Sequence, residues 1–162
     1  MSEPLISRLP GRSVIRVGGA QRLAFLDGLL SCATDTLAPG DLAYGALLTP
    51  QGKIISDMMV FADEDTLALD VPDSARADLM RRLTMYKLRA AVTLEETDEI
   101  VAVTFDAADG ARPDPRGPGL GNRLLLPAGG AGTEPAVLAR YAAARIGAGV
   151  PDAEVDFALG EA

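Results

Sequence analysis

Apolar and polar residues follow each other in a pattern that predicts seven strands and three helices. Short runs rich in Val, Ile, Leu and Phe, separated by turns of Gly, Pro and Asp, predict the strands. Apolar residues at spacings of three and four predict the helices. The predicted strands cover 13–17, 44–49, 53–61, 66–71, 91–95, 100–105 and 123–126, and the predicted helices cover 22–30, 74–86 and 134–146.

The order of these elements predicts an α+β fold. Up to residue 105 the order is β-α-β-β-β-α-β-β, which is close to the β-α-β-β-α-β order of ferredoxin-like domains with a mostly antiparallel sheet. The strands at 91–95 and 100–105 lie on either side of an acidic turn. We expect three parts, which are a first domain at 1–106, a Gly/Pro-rich linker with a short strand at 107–133, and the helical start of an incomplete second subdomain at 134–162.

The helix at 74–86 carries both an apolar stripe and most of the local positive charge. Either Asp73 or Ser74 is expected to cap its first turn. The predicted buried stripe consists of Ala75, Leu79, Met80, Leu83 and Tyr86. The cations that lie within 14 residues are Arg76, Arg81, Arg82, Lys87 and Arg89. These cations are either a solvated helix face or a local site for a small anionic ligand.

Charge and hydropathy exclude several classes of function. The net charge is −8 and the pI is about 4.5, so nucleic acid is not expected as a partner, because phosphate contacts need clustered cations. No run of 18 apolar residues exists, which predicts no membrane span. The start of the chain contains an acid and prolines and has no apolar core of a secretory signal. We therefore expect a cytoplasmic protein, with an organellar one as the alternative.

Two residue types that carry much of enzyme chemistry are scarce. The chain has no histidine, which excludes imidazole bases, Ser-His-Asp triads and His-ligated metals. Its one cysteine, Cys32, allows no disulfide and no cysteine-caged cluster within this chain. Cys32 follows an apolar helical run, and we interpret it as a small buried thiol with a reactive thiolate as the alternative. No metal site is expected.

The stretch LLTPQGKIISDMMVF, at 47–61, contains the most informative local pattern. Gly52 and Lys53 suggest a phosphate loop, but no glycine stands five positions earlier and a strand follows instead of a helix. The turn at 50–52 instead predicts a hairpin. Alternation along the second strand predicts that one face carries Lys53, Ile55, Asp57, Met59 and Phe61. Both faces are largely apolar, so this strand is expected to be central.

Asp57 is then an acid inside an apolar strand. A buried carboxylate must be hydrogen-bonded, paired with a cation or protonated. Three interpretations are open: a structural acid that meets a backbone group or an arginine, an acid that lines a ligand pocket and binds a polar heterocycle, or an acid that faces water at a sheet edge.

An ordered set of segments resembles one known family. The segments are 14–19 (VIRVGG), 25–30 (FLDGLL), 47–54 (LLTPQGKI), 86–92 (YKLRAAV), 114–116 (DPR), 120–123 (LGNR) and 145–152 (RIGAGVPD). In this order the chain resembles the YgfZ family of folate-binding proteins, which are relatives of the glycine-cleavage T-protein, an aminomethyltransferase. No single segment is specific alone, whereas the ordered set is fairly specific and covers nearly the whole chain.

The resemblance implies a T-protein-like fold around a tetrahydrofolate site and a role in iron–sulfur cluster assembly or maintenance. It implies that Asp57 lies at the reactive nitrogens of the folate, whose pteridine donors suit a carboxylate. It also implies that Tyr86, Lys87 and Arg89 bind the folate, with the two cations placed to meet its glutamate tail. No catalytic residue is assigned. The implied partners are the folate itself and iron–sulfur client proteins.

One part of the family pattern is absent. The YgfZ signature of lysine-glycine-cysteine-tyrosine, one variable residue and glycine-glutamine-glutamate would come shortly after residue 162, so we expect a chain truncated before it. Two other functions stay open. One is a folate-dependent aminomethyltransferase, and the other is an inactive truncated domain that needs a partner or associates with itself, because truncation leaves apolar surface exposed.

Overall fold

The fold is built from two antiparallel sheets and three α-helices. The computed structural model describes residues 3–153, 155–156 and 158–159. In that part of the chain the strands are β1 (Ile6–Arg8), β2 (Arg12–Gly18), β3 (Leu42–Leu48), β4 (Ile54–Ala62), β5 (Thr66–Pro72), β6 (Thr93–Thr97), β7 (Ile100–Thr104), β8 (Arg112–Pro113) and β9 (Asn122–Leu126). The helices are α1 (Arg22–Asp27), α2 (Arg76–Lys87) and α3 (Pro135–Gly147), and a 3-10 turn at Asp73–Ala75 precedes α2.

The strand order confirms the predicted α+β class. A five-stranded sheet has the order β3-β4-β5-β2-β6, and a four-stranded sheet has the order β1-β7-β9-β8. Every strand pair within them is antiparallel. The three predicted helices and the seven predicted strands are present with shifted ends. The short strands β1 and β8 were not predicted, because two or three residues are too few to show a period.

The strands predicted at 91–95 and 100–105 belong to different sheets. The first of these, β6, pairs with β2 in the larger sheet, and the second, β7, lies between β1 and β9 in the smaller one. The physical reason is burial. Val101, Ala102 and Val103 are all buried on β7, which needs a central position, whereas β6 exposes Glu95 and Glu96 and suits an edge.

The larger sheet is buried on both faces. Helices α1 and α2 cover one face, where Ile15, Met58 and Leu69 pack against Leu79 and Leu83. The other face meets the smaller sheet through an apolar cluster of Val14, Met59, Phe61, Ala68 and Val101. Each large side chain buried in this way stabilises the fold by roughly 1.5–3 kcal/mol. Helix α3 packs on β7 through Val103, Val137 and Tyr141.

Helix α2 differs from its prediction at both ends. Neither Asp73 nor Ser74 caps it, and no side chain bonds its first turn. The carboxylate of Asp73 instead accepts a hydrogen bond from the Ser13 hydroxyl. Ala75, Leu79 and Leu83 are buried and Met80 packs against the same core, whereas Tyr86, predicted to be buried, is 42 % exposed. Tyr86 is exposed because the last turn of the helix extends beyond the edge of this core.

Strands on both sides of residue 106 belong to one sheet. Strand β7 ends at Thr104, and its neighbour β9 begins at Asn122, beyond the expected end of the first domain. The division into 1–106, 107–133 and 134–162 stays a prediction, since a shared sheet does not by itself show how the chain unfolds.

Candidate functional site

Strand β4 contains a β-bulge just before Asp57. Leu47 pairs with Ser56 and Leu48 pairs with Ile54, so Ile55 is an extra residue in β4. Ile55 packs against the core on the helix side, which corrects the predicted alternation at that position. Asp57 follows the bulge and shares a face with Met59 and Phe61, which pack toward the smaller sheet. The carboxylate therefore lies between the two sheets.

Asp57 is buried but only partly satisfied. Its residue is 3 % exposed, so the interpretation as an acid that faces water is wrong. Its Oδ2 accepts a hydrogen bond of 2.5 Å from the Tyr44 hydroxyl. Its Oδ1 has no hydrogen-bond partner among the described residues. Burial of a carboxylate oxygen without a hydrogen bond is unfavourable for folding. Oδ1 is therefore the candidate atom for a ligand contact.

Tyr44 is held so that it donates to Asp57. Its ring lies under the guanidinium of Arg116, with 5.5 Å from Cζ to the ring centroid. Burial and the hydrogen bond to Asp57 raise the pKa of Tyr44 above its usual value. The phenol therefore keeps its proton at neutral pH, and Asp57 Oδ2 remains an acceptor with a fixed direction.

A second acid on the same face is fully satisfied. Asp70 is completely buried and accepts hydrogen bonds from Arg12 Nε at 2.6 Å and from Arg123 Nη1 at 2.9 Å. Burial acts to raise the pKa of Asp70, but the two guanidiniums outweigh it and hold that pKa below its usual value. This pair of contacts joins the two sheets, because Asp70 lies on β5 and Arg123 on β9.

Arg116 extends the same network toward α3. It donates to both oxygens of Asp114, at 3.0 and 2.8 Å, and to Asp152 at 2.9 Å. The Tyr141 hydroxyl accepts from Arg116 at 2.7 Å and from Arg123 at 2.6 Å. The network therefore connects the segments 114–116, 120–123 and 145–152, which lie far apart in sequence. Sequence reasoning assigned 107–121 to a loop and missed this cluster, although the Asp-Pro-Arg triplet was its visible signal.

A cavity of about 340 Å³ lies beside this network. Its lining consists of Leu9, Pro10, Gly11, Arg12, Pro72, Asp73, Ser74, Arg123, Asp152, Ala153 and Val155. Arg123 is 2 % exposed and its Nε has no hydrogen-bond partner in the described chain. Asp57 and Tyr44 are not among the lining residues of the cavity. The cavity is of the size that small-molecule sites occupy.

The other predicted site residues lie elsewhere. Tyr86 and Arg89 are exposed, and Lys87 Nζ donates to the carbonyl of Val92 at 3.2 Å. They lie at the end of α2, which packs on the face of the larger sheet opposite to Asp57. This end contacts β6, three strands from β4, which corresponds to roughly 14 Å. The structure therefore does not bring these three residues together with Asp57, and their role in folate binding stays a prediction.

Neither Cys32 nor a cluster of metal-ligating side chains contributes to this site in the described part of the chain. Cys32 is half-buried against Gly45, where a Cβ would lie 2.5 Å from its sulfur, and burial raises the pKa of the thiol. Within 3–153 and the four described residues beyond, no group of three His, Cys, Asp or Glu side chains is arranged to hold a metal ion. No helix in the described part of the chain has the length and apolar character needed to span a membrane.

Comparison of the structure with solved proteins identifies the class of fold. The glycine cleavage system aminomethyltransferase T from Bartonella henselae superposes with a TM-score of 0.63 at 14 % identity, over 84 % of this chain and 44 % of that one. The chain therefore has the T-protein type of fold, as the resemblance implied. No family model matches the chain.

Curated relatives narrow the class further. Iron-sulfur cluster assembly factor IBA57 homolog, mitochondrial, from Mycosarcoma maydis is 28 % identical over 146 residues, which is 76 % of this chain and 36 % of that protein. The protein of the same name from Chaetomium globosum is 29 % identical over 163 residues, covering 74 % and 37 %. IBA57 from Mus musculus is 28 % identical over 107 residues, covering 57 % and 30 %. The chain is thus similar to proteins of the IBA57 type, which confirms the predicted resemblance to the YgfZ family.

The length and the cellular location of these relatives differ from those expected for this chain. The chain spans about a third of the length of the curated relatives it matches. The relatives are named as mitochondrial proteins, so the expectation of a cytoplasmic protein is wrong. That expectation rested on the lack of a secretory signal, which says nothing about mitochondrial import, because import signals are amphipathic and have no apolar core.

Proposed function

We propose that this chain is a tetrahydrofolate-binding accessory protein that acts in iron–sulfur cluster assembly or maintenance. The observation that carries the proposal is the buried carboxylate of Asp57, which has one oxygen fixed by Tyr44 and the other unpartnered among the described residues. The relatives named as iron–sulfur cluster assembly factors support the cellular role. Their mitochondrial names support mitochondria as the place of action.

The buried polar atoms that lack a partner among the described residues fit a pterin better than a simple anion. A pterin presents N–H donors next to a carbonyl acceptor, and Asp57 Oδ1 and Arg123 Nε are a buried free acceptor and a buried free donor on the same side of the larger sheet. The cavity lined by Arg12 and Arg123 has room for a fused two-ring system. Both arginines pair with Asp70, and Asp73 and Asp152 also line the cavity, so the site does not favour a highly charged anion.

The predicted binding residues for the two ends of the folate lie on opposite faces of the larger sheet. Lys87 and Arg89 remain the predicted partners of the tail, but they lie behind the sheet from Asp57. A single folate that touched both groups would have to pass around the edge of the sheet. Replacement of both cations by glutamine, compared with replacement of Asp57, therefore tests which end of the ligand this chain binds.

Calorimetric titration with tetrahydrofolate tests the proposal directly. Asp57→Asn keeps the shape of the side chain and an acceptor for Tyr44 but removes the charge, and we expect the affinity to fall more than tenfold. The matched control is Asp98→Asn, which removes an exposed acid of the turn after β6 and is expected to leave affinity unchanged. Equal affinity of the wild type and Asp57→Asn would remove Asp57 from the site, and no heat of binding would refute folate binding.

The role in cluster assembly is tested separately. The chain, carrying a mitochondrial leader, is expressed in Mycosarcoma maydis cells that lack their own IBA57 homolog, and the activity of a mitochondrial iron–sulfur enzyme is measured. We expect partial restoration by the wild type and less by Asp57→Asn. Failure of both to restore activity would refute the assembly role of this chain, while the titration would still report on folate.

A further inference from the structure

The turn that follows α2 displays a leucine to solvent in an unfavourable backbone conformation. Leu88 has φ 42 and ψ −102, and it is the one residue other than glycine with positive φ in the described part of the chain. Its side chain is 84 % exposed. A bulky residue with positive φ is rare, and such strain collects at functional positions. A leucine that packs against nothing gains no burial to compensate for that strain.

The geometry is that of a turn in which glycine would be expected. The amide of Ala90 donates to the carbonyl of Lys87 at 2.6 Å, which closes a four-residue turn from 87 to 90. Leu88 occupies the second position with dihedral angles near those of a type II′ turn, where glycine dominates. A glycine there would make the same turn without strain, so turn formation does not explain the leucine.

The turn is held in place by the segment 19–21. The amide of Ala91 donates to Gln21 Oε1 at 2.6 Å, and the amide of Gln21 donates to the carbonyl of Ala91 at 3.1 Å. The backbone at Ala91 lies so close to Gly19 that a Cβ on Gly19 would be 2.2 Å from the Ala91 carbonyl oxygen. Leu88 is therefore presented on a rigid support, and rigid display lowers the entropy lost on binding.

Leu88 lies at the centre of a small apolar surface that is flanked by basic residues. Met85 is 55 % exposed and Tyr86 is 42 % exposed, within three residues of Leu88. From 81 to 92 the sequence contains four cations and no acid, in a chain whose net charge is −8. Arg81 and Arg82 both pair with Asp78, while Arg89 is exposed and has no ion-pair partner in the described residues. We call Met85, Tyr86, Lys87, Leu88 and Arg89 the α2 patch.

We propose that the α2 patch docks an acidic peptide segment of another protein, whose large apolar side chains pack against Leu88. The composition matches the centre of protein interfaces, where Tyr, Met and Arg are enriched. The local positive charge selects a negatively charged partner and speeds its approach. The rigid turn favours a protein segment over a fluid bilayer, and the overall charge of −8 opposes both an anionic membrane and a second copy of the chain.

Selection from a random library of displayed 12-residue peptides tests this without knowledge of the partner. The wild-type chain is expected to enrich peptides that combine Asp or Glu with large apolar residues. Amide chemical shifts of the chain, measured with an enriched peptide, are expected to change mainly at 81–92. Arg89→Glu is expected to weaken that peptide at least tenfold, and a peptide with its acids replaced by lysine is expected to recover part of the loss.

Leu88→Gly separates docking from folding. Glycine removes the side chain and the backbone strain together, so we expect a melting temperature equal to or above that of the wild type and at least tenfold weaker peptide binding. The matched controls are Ile146→Ser, which removes another exposed apolar side chain, and Arg8→Glu, which reverses another exposed cation. Both controls are expected to bind like the wild type.

Several outcomes would overturn the proposal. Enriched peptides without acidic residues, no enrichment at all, or shift changes located outside the α2 patch would each do so. Tighter binding to vesicles containing phosphatidylserine than to the peptide would assign the surface to a membrane, and concentration-dependent self-association abolished by Leu88→Gly would assign it to a second copy. A melting temperature lowered by Leu88→Gly with unchanged peptide binding would show that Leu88 only supports the fold.

Discussion

At the scale of single residues, two buried acids on one sheet face have different roles because they have different partners. Asp70 accepts from two guanidiniums, and both of its oxygens are engaged. Asp57 accepts from one phenol, and its second oxygen has no partner among the described residues. A fully paired carboxylate stabilises the fold, whereas a half-paired one is available to a ligand. The contrast assigns Asp70 to structure and supports Asp57 as the candidate for binding.

Asp70→Asn is predicted to destabilise the protein strongly. Removal of one partner leaves Arg12 and Arg123 as buried cations without a counter-charge, and such a loss costs about 3–5 kcal/mol. The measurement is the free energy of unfolding in urea at pH 7, with Asp98→Asn as the control for loss of an exposed acid. A loss below about 1 kcal/mol, the range of surface ion pairs, would contradict the buried network.

The pH dependence of stability depends on the same residue. The pKa of Asp70 in the folded state lies below its ordinary value of 3.8, so the folded state binds fewer protons than the unfolded state. The stabilisation is fully present above about pH 3.8 and is lost as the pH falls through the lower folded pKa. Asp70→Asn should therefore show a flatter decline of stability in acid than the wild type.

At the scale of elements, close contact between two turns explains why the chain has glycine at 19. Gly19 has φ 99 and touches the backbone of Ala91. Gly40 has nearly the same conformation, with φ 97, but a Cβ there would meet no atom within 4 Å. Comparison of Gly19 with Gly40 separates two reasons for a glycine. Both positions require a positive φ, whereas only position 19 also requires that no Cβ be present.

Gly19→Ala is predicted to destabilise the protein by at least about 2 kcal/mol more than Gly40→Ala. Positive φ affects both substitutions alike, at about 1–2 kcal/mol, and the collision with the Ala91 carbonyl affects only the first. Thermal unfolding of both variants, followed by circular dichroism, provides the comparison. Equal losses of stability in the two variants would mean that the turn after α2 is not packed on Gly19. That result would also contradict the rigid support inferred for Leu88.

At the scale of the whole molecule, the ion-pair network joins the two sheets. Asp70 on β5 binds Arg123 on β9, and Tyr141 on α3 binds both Arg123 and Arg116. The apolar cluster around Phe61 is shared by the same two sheets. Neither sheet can lose its partner without exposing apolar surface and buried charge, so we expect the sheets to unfold together.

Hydrogen exchange in increasing denaturant tests this coupling. Amides of β4 and of β9 are predicted to lose protection at the same denaturant concentration. The amides of exposed β6 serve as a control, because an edge strand is expected to exchange earlier. Separate transitions for β4 and β9 would instead support the predicted domain boundary at residue 106.

The sequence by itself determined the element types, the α+β class and the resemblance to a family. Hydrophobic period is a local property, and long segments such as β4 and α3 carry it strongly enough to be recognised. It also identified Asp57 as an unusual residue, because an acid within an apolar strand is visible without coordinates. Motif order along the chain was sufficient for the resemblance to the YgfZ family.

Only the tertiary structure decided which residues meet. The assignment of β6 and β7 to different sheets, the bulge at Ile55 and the joining of Arg116, Arg123 and Tyr141 all depend on contacts between segments that are distant in sequence. The exposure of Leu88 and the separation of Lys87 and Arg89 from Asp57 depend on which face of the sheet each element covers. Local pattern specifies what a segment prefers, whereas burial and pairing between segments select its partner, and that selection exists only in the folded chain.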